Sequence, residues 1–409
     1  MTRSPRRWPG YYLVVVLLTA AVFISYIDRT TISVSAIAMQ AQLGWSETDK
    51  GLVLSAFYAG YILLMLVSSA LANRYGGWLV LGLAVIWWSL ITALTPPAAL
   101  VSLPSLIAMR IALGLGEAAV FPASFNMIGR WVPPLQRTRA VALLASAVPL
   151  STVFALPMTG WLVHGFGWPA PFYVFGAMGL VWALIWFTRV SGGNGPEESA
   201  ASVARVAIPW RRILRLPAVW VIVFNHFCYN WSSYVLLAWL PSYLKSTFGV
   251  SLVNAGVYSA APWLASFMTA NAAGHVADRL LRAGHSATFV RKLMQCTGLG
   301  LGGVFLLMLP SAASLSAAVA IMCCAAAALA LCYSGFTANC FDVAPRHAEI
   351  IYGISNTVAT LPGIFGVYLT GWLVDRTGTF AVPFYLTSAI AMLGALMYLA
   401  LASGERCID

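Results

Sequence analysis

Residues 11–37 read YYLVVVLLTAAVFISYIDRTTISVSAI, an apolar run interrupted by charge only at Asp28 and Arg29. A helix rises about 1.5 Å per residue, so some 20 residues of this kind cross the roughly 30 Å hydrocarbon core of a bilayer. Three arginines, Arg3, Arg6 and Arg7, precede the run and give it the look of a secretion signal. The apolar stretch is too long for a signal h-region and is followed by no small-residue cleavage site and soluble domain, so it is read as a retained first span.

Comparable stretches recur along the chain at 11–37, 50–72, 78–95, 104–128, 141–163, 171–189, 218–240, 252–274, 293–310, 315–340, 350–374 and 381–402. Composition agrees: 60% of the 409 residues are hydrophobic and 9% charged, with a mean hydropathy of +0.83. A soluble chain carries about 25% charged residues. The expected fold class is therefore an all-α integral membrane protein with twelve transmembrane helices. If the amino terminus is cytoplasmic, 18 of the 23 Lys and Arg residues fall in cytoplasmic segments. Lys50, Lys245 and Arg376 fall on the opposite face, and Arg29 and Arg110 lie at membrane depth. That asymmetry places both termini in the cytoplasm. It also assigns the net charge of +11 to the anionic bilayer surface, so no nucleic-acid partner is inferred.

The stretch 191–216, with Gly-Gly-Asn-Gly-Pro-Glu-Glu at 192–198 and Pro-Trp-Arg-Arg at 209–212, breaks the apolar pattern. It divides the chain into an amino-terminal six-helix half (1–190), a cytoplasmic linker (191–216) and a carboxy-terminal six-helix half (217–409). The halves echo each other: Ala72-Asn73-Arg74 follows the second span and Ala277-Asp278-Arg279 the eighth. Such duplication is the pattern of the major facilitator fold, in which two pseudo-symmetric halves alternately expose a midplane site. Gly274 to Arg279 matches the loop signature of that fold, Gly, three residues, Asp, Arg; the first half has Ser69 and Asn73 in its place.

Ionisable groups at membrane depth cost roughly 2.5 to 3.5 kcal/mol each on insertion scales and mark ion or substrate pathways. Arg110 and Glu117 are seven residues apart, two helical turns, and share one face. Ala108, Ala112 and Gly116 form a small-residue ridge on the same span. Asp28 and Arg29 diverge by about 100° around theirs. Asp28 and Glu117, when ionised, neutralise Arg29 and Arg110. Protonation of Glu117 would leave an arginine for an anion, whose carboxylate or phosphate suits the guanidinium fork. A buried ion-pair network that only holds helices together is the competing account. Tyr58 and Tyr61 (i, i+3), the cluster Asn225, His226, Tyr229 and Asn230, and Ser355-Asn356-Thr357 are further polar candidates, with His226 either a proton site or a bonded structural residue. Pro149, Pro157 and Pro362 are expected to flex their helices.

An enzyme is disfavoured because neither HExxH nor GxSxG is present, and Ser242 to Lys245 matches SxxK without companion motifs. The seven cysteines lack metal or disulfide spacing. No cofactor or metal is expected beyond the proton as coupling ion.

The chain resembles the anion:cation symporter family of the major facilitator superfamily. The residues that carry the resemblance are Asp28-Arg29 with Ile32-Ser33-Val34; Arg110 with Gly114-Leu115-Gly116-Glu117 and Phe121-Pro122-Ala123; Trp131 to Pro134 with Arg137 and Arg139; Asn230-Trp231; Val290 to Met294; Gly353 to Asn356; and Ala402 to Arg406. The family includes bacterial sugar-acid:proton symporters, plastid phosphate transporters, sialin and vesicular glutamate transporters. The resemblance implies that Arg29 is the main anion ligand, Glu117 and Asp28 the proton-coupling acids, Arg110 the partner of Glu117, and Asn356 a substrate contact. Tyr58, Tyr61, Tyr229, Asn230 and Ser355 complete the expected substrate site. Leu54 and Tyr229 stand where vesicular glutamate transporters carry histidine and arginine, which points away from their mode. The expectation is a monomeric, proton-coupled importer of a small organic anion in the bacterial inner membrane. Alternatives are a phosphate or amino-acid anion transporter of the same fold, or a non-transporting anion sensor.

Overall fold

The computed structural model describes residues 10–190 and 209–407, with the side chain of residue 66 excepted. Arg3, Arg6, Arg7, Arg205 and residues 191–208 of the expected linker lie outside the described residues. The helices are α1 (Gly10–Leu43), α2 (Glu47–Tyr75), α3 (Gly77–Val101), α4 (Leu103–Glu117), α5 (Val120–Trp131), α6 (Pro134–Phe166), α7 (Ala170–Arg189), α8 (Trp210–Arg215), α9 (Pro217–Phe248), α10 (Leu252–Arg282), α11 (Ala287–Met308), α12 (Leu315–Ala330), α13 (Phe336–Val343), α14 (Ala348–Thr377) and α15 (Ala381–Leu401). With α4 and α5 as one broken span, α12 and α13 as another, and α8 as a short connector, these make the twelve long helical segments of the expected fold.

Nine of them are long and apolar enough to cross a membrane, or ten if the pair Glu47–Met65 and Val67–Tyr75 is counted as one span. The remaining two, α9 and α10, are 32 and 31 residues long. Asn225, His226 and Asn230 in α9, and Asn254 and Asn271 in α10, lower their hydropathy, and in α9 the three polar side chains are buried.

Short connections are set by local chemistry. Gly249 (φ 65°) and Gly378 (φ 67°) end α9 and α14 in the left-handed conformation that suits glycine. Their N–H groups return to Lys245 O at 3.0 Å and Val374 O at 2.8 Å. Ser251, Ser286 and Ser314 start α10, α11 and α12 by accepting the N–H three residues on. The paired sequence signatures lie within helix rather than in turns: Ala72 to Arg74 is in the last turn of α2, and Gly274 to Arg279 is inside α10. Asn73 accepts from Asn126 Nδ2 at 3.1 Å, and Asn126 Oδ1 accepts Gly77 N–H at 3.0 Å, so the residue replacing the signature acid ties α2 to α5.

Packing separates two compact units whose limits differ from the sequence halves at 190 and 217. One runs through Arg29, Gly60–Ser151 and from Phe172; the other takes Thr30–Ala59, Thr152–Pro171 and from Val206 onward. The boundaries fall inside α1, α2, α6 and, at Pro171, the first turn of α7. In the first unit, tryptophan N–H groups fasten α7: Trp182 donates to Leu17 O and Trp186 to Trp78 O, both at 2.9 Å. Gly60 faces the backbone of Ile111, and Trp87 donates to Ala112 O at 2.8 Å and covers Gly116, which fills the small-residue ridge of α4. In the second unit α9 packs along α14 and α15, and α11 along α12 and α15.

Candidate functional site

The first unit gathers the four charges predicted at membrane depth. Asp28 is 2% exposed, Arg29 6%, Arg110 2% and Glu117 0%. Arg29 Nη2 lies 3.3 Å from Glu117 Oε2, which also accepts Ser25 Oγ at 2.9 Å. The guanidinium stands over two aromatic rings, 4.4 Å from the Tyr26 centroid and 4.9 Å from that of Tyr61, an arrangement that stabilises a desolvated cation. Glu117 closes α4 just before the break at Ala118 and Ala119. A carboxylate there meets the negative end of the helix dipole, so the nearby cation has a second reason to be present.

Asp28 has other neighbours. Its carboxyl lies beside Thr92 of α3 and within electrostatic reach of Arg110 and Glu117. Arg110 reaches Glu117 electrostatically as well, so the acids and bases form one cluster rather than two isolated pairs. Arg29 donates to Glu117 Oε2 at 3.3 Å, and Arg110, the partner expected from the resemblance, lies within electrostatic reach of the same carboxylate. Ser25 and Tyr26 join the cluster without having been singled out. Their signal was present in the spacing, since they precede Arg29 by four and three residues and so share its helix face.

The second unit holds the uncharged candidates. His226 Nδ1 is 2.8 Å from Ser355 Oγ, and its ring stacks on Phe336 at 4.4 Å and Tyr352 at 5.7 Å. Asn230 donates to Ala359 O at 2.8 Å and to Tyr234 Oη at 3.3 Å. Tyr58 packs against Tyr234 with the rings tilted by 43° and centroids 4.5 Å apart, and lies against Gly363, whereas Tyr61 belongs with Arg29. Tyr229 packs edge-on to Tyr333 at 5.3 Å and, with Ser233, Leu236, Pro262 and Trp263, lines a small, mainly apolar cavity. Asn356 sits in α14 with its carbonyl accepting Thr360 Oγ1 at 2.8 Å. These groups make hydrogen bonds and ring contacts within the second unit. Among the described residues no three His, Cys, Asp or Glu side chains converge as a metal site.

Residues 18–367 match the model of the Major Facilitator Superfamily. The chain belongs to that superfamily. It is 36% identical to the sodium-dependent phosphate transport protein 1, chloroplastic, of Arabidopsis thaliana, across 99% of this chain and 81% of the relative. To the chloroplastic ascorbate transporter of the same plant it is 34% identical, across 99% of this chain and 76% of the relative. Among solved structures, a bacterial homologue of the human lysosomal transporter Spinster, inward-facing and unoccupied, aligns with a TM-score of 0.83 at 19% identity, covering 96% of this chain and 97% of that one. A D-xylose-proton symporter aligns with a TM-score of 0.78 at 16% identity, covering 97% and 99%. These likenesses establish the fold. The chain is a multi-pass membrane transporter of the superfamily and not an enzyme.

Proposed function

We propose that this transporter carries a small organic anion together with protons by alternating access. The observation that carries the reading is the Arg29–Glu117 pair, buried at 3.3 Å with the guanidinium against two tyrosine rings. When Glu117 is ionised, Arg29 has its counter-charge. When Glu117 accepts a proton, Arg29 needs another anion, and a substrate carboxylate is the matching fork. Asp28 and Arg110 balance the remaining charge, Asp28 as the second acid and Arg110 as the cation that both acids feel. Tyr61, Tyr58, Tyr229, Asn230, Ser355 and Asn356 supply hydroxyl, amide and aromatic contacts for the body of the substrate. The proton is the coupling ion, and a monomer suffices.

The basic residues favour cytoplasmic termini, and the bacterial sugar-acid branch of the resemblance favours the bacterial inner membrane. A second reading, phosphate taken up with sodium, is supported by the printed name of the relative at 36% identity. Proteoliposomes separate the two. Uptake of labelled sugar acids, ascorbate and phosphate is driven in turn by an inward proton gradient and an inward sodium gradient. The proposal expects organic-anion uptake under the proton gradient alone. Phosphate uptake that requires sodium would replace it with the second reading.

A further inference from the structure

We propose that Asp375 is the bolt of a gate at the end of the second unit away from the basic loops, and that its release from the amino terminus of α2 opens that end. The gate does not depend on which anion or coupling ion the protein uses.

The amino terminus of α2 already carries its own cap. Ser46 N–H and Oγ both donate to Asp49 Oδ2, at 3.0 and 2.8 Å, and Asp49 N–H returns to Ser46 Oγ at 3.0 Å. This is the reciprocal arrangement of a capping box. Two further backbone donors of the first turn remain. Asp375, at the far end of α14, takes both: Glu47 N–H at 2.9 Å and Thr48 N–H at 2.6 Å, and the Thr48 hydroxyl also donates to it. Because α2 is capped without this help, the Asp375 carboxylate serves to join two helices that lie more than 320 residues apart in sequence. It is solvent-exposed, so water competes for its bonds and the contact is readily undone.

Behind the bolt the two helices touch backbone to backbone. A Cβ on Gly51 of α2 would stand 3.2 Å from Tyr368 O of α14, and Gly371 of α14 faces the carbonyl of Glu47. Lys50 sits beneath Trp239, 5.0 Å from its ring, with Glu47 at 2.6 Å and Gln40 at 2.8 Å. The same end has a second crossing, α6 on α10, made the same way: a Cβ on Gly160 would stand 2.9 Å from Leu252 O, and Gly256 faces Leu156 O. That crossing is backed by apolar Val34, Leu156 and Ala260. The closure is thus two matched glycine crossings, with the carboxylate bolt on α2 and α14. Parting the helices costs the bolt's charge-assisted bonds on that side and apolar contact on the other.

Hydrogen exchange of the full-length protein, read by mass spectrometry, tests the gate without a substrate. Asp375→Asn is expected to raise exchange roughly fivefold, the usual effect of losing such a cap, at 47–51 and also at 156–160 and 252–256 of the second crossing. The pair Thr48→Cys and Asp375→Cys, oxidised and compared with wild type under the same oxidant, should lower exchange at all three segments and recover on reduction. If Asp375→Asn affects 47–51 alone, the carboxylate is a local cap and the proposal falls. It falls equally if the cysteine pair does not oxidise, or if the oxidised pair leaves the second crossing at the wild-type rate.

Discussion

The fourth and tenth spans are both broken near their middles, and the two breaks are finished with different chemistry. At the first, α4 ends on Glu117, whose carboxylate takes Ser25 and the guanidinium of Arg29. At the second, a 3-10 turn at Leu331–Ser334 leads to Gly335 and α13, and the freed Phe336 N–H is taken by Gln295 Oε1 at 3.1 Å while Gln295 Nε2 donates to Asn225 at 3.1 Å. Arg291 anchors the same break by donating to Ser334 O at 3.2 Å and to Asp342 at 2.6 Å. Freed backbone groups at a break must be satisfied in an apolar medium. A neutral amide meets that need at fixed cost, whereas a carboxylate bonded to a buried cation changes the local charge each time it gains or loses a proton. Arg291 and Asp342 put an ion pair at the second break too, but Asp342 is part-exposed whereas Glu117 is fully buried, and on the proposed function it is the buried acid of the first break that moves charge.

The largest expected effect is at Arg29. Arg29→Ala strands Glu117 in a buried site, a loss of about 3 to 5 kcal/mol for an ion pair broken on one side, and uptake should fall at least 100-fold. Adding Glu117→Gln should restore thermal stability but not uptake; an additive loss in stability would show that the two residues do not pair. Next comes Gln295→Ala, which removes the acceptor of Phe336 N–H and the donor to Asn225. About 1 to 3 kcal/mol of stability should go, seen as a lower unfolding temperature, with proton dependence of uptake intact. His226→Gln should cost about 1 kcal/mol through its bond to Ser355 and leave the pH profile of uptake unchanged. A displaced profile would give His226 the charge role assigned to the first break. The smallest effect is at Tyr61: Tyr61→Phe keeps the ring under Arg29 and should hold uptake within about twofold, while Tyr61→Leu loses the cation–π contact and about fivefold.

Much of this was legible in the chain. Spans seven and twelve were read at 218–240 and 381–402, and the helices run Pro217–Phe248 and Ala381–Leu401. Hydropathy marks where a helix is at bilayer depth, not where its hydrogen bonding stops. For that reason the fifth span, read from 141, begins at Pro134 and carries Arg137 and Arg139 beyond the apolar zone. The two breaks escaped notice because neither contains proline; Ala118-Ala119 and Leu331 to Gly335 look like ordinary span interior. Which cation bonds Glu117 was also hidden, since periodicity gives the face of one helix and says nothing about which face of another meets it. Lys50 was counted only as charge at the far end, and Asp375 was not singled out. Their roles depend on the meeting of α2 with α9 and α14, a pairing between segments some 190 and 330 residues apart that local sequence does not encode.

The central claim, that the acid at the first break couples proton to anion, is tested most directly by Glu117→Gln in proteoliposomes loaded with the transported anion. The glutamine keeps the size and the hydrogen bond to Ser25 and cannot release a proton. Exchange of labelled for unlabelled anion across the membrane should persist within a fewfold of wild type, while accumulation under a proton gradient should vanish. Accumulation at the wild-type level in that variant would contradict the account.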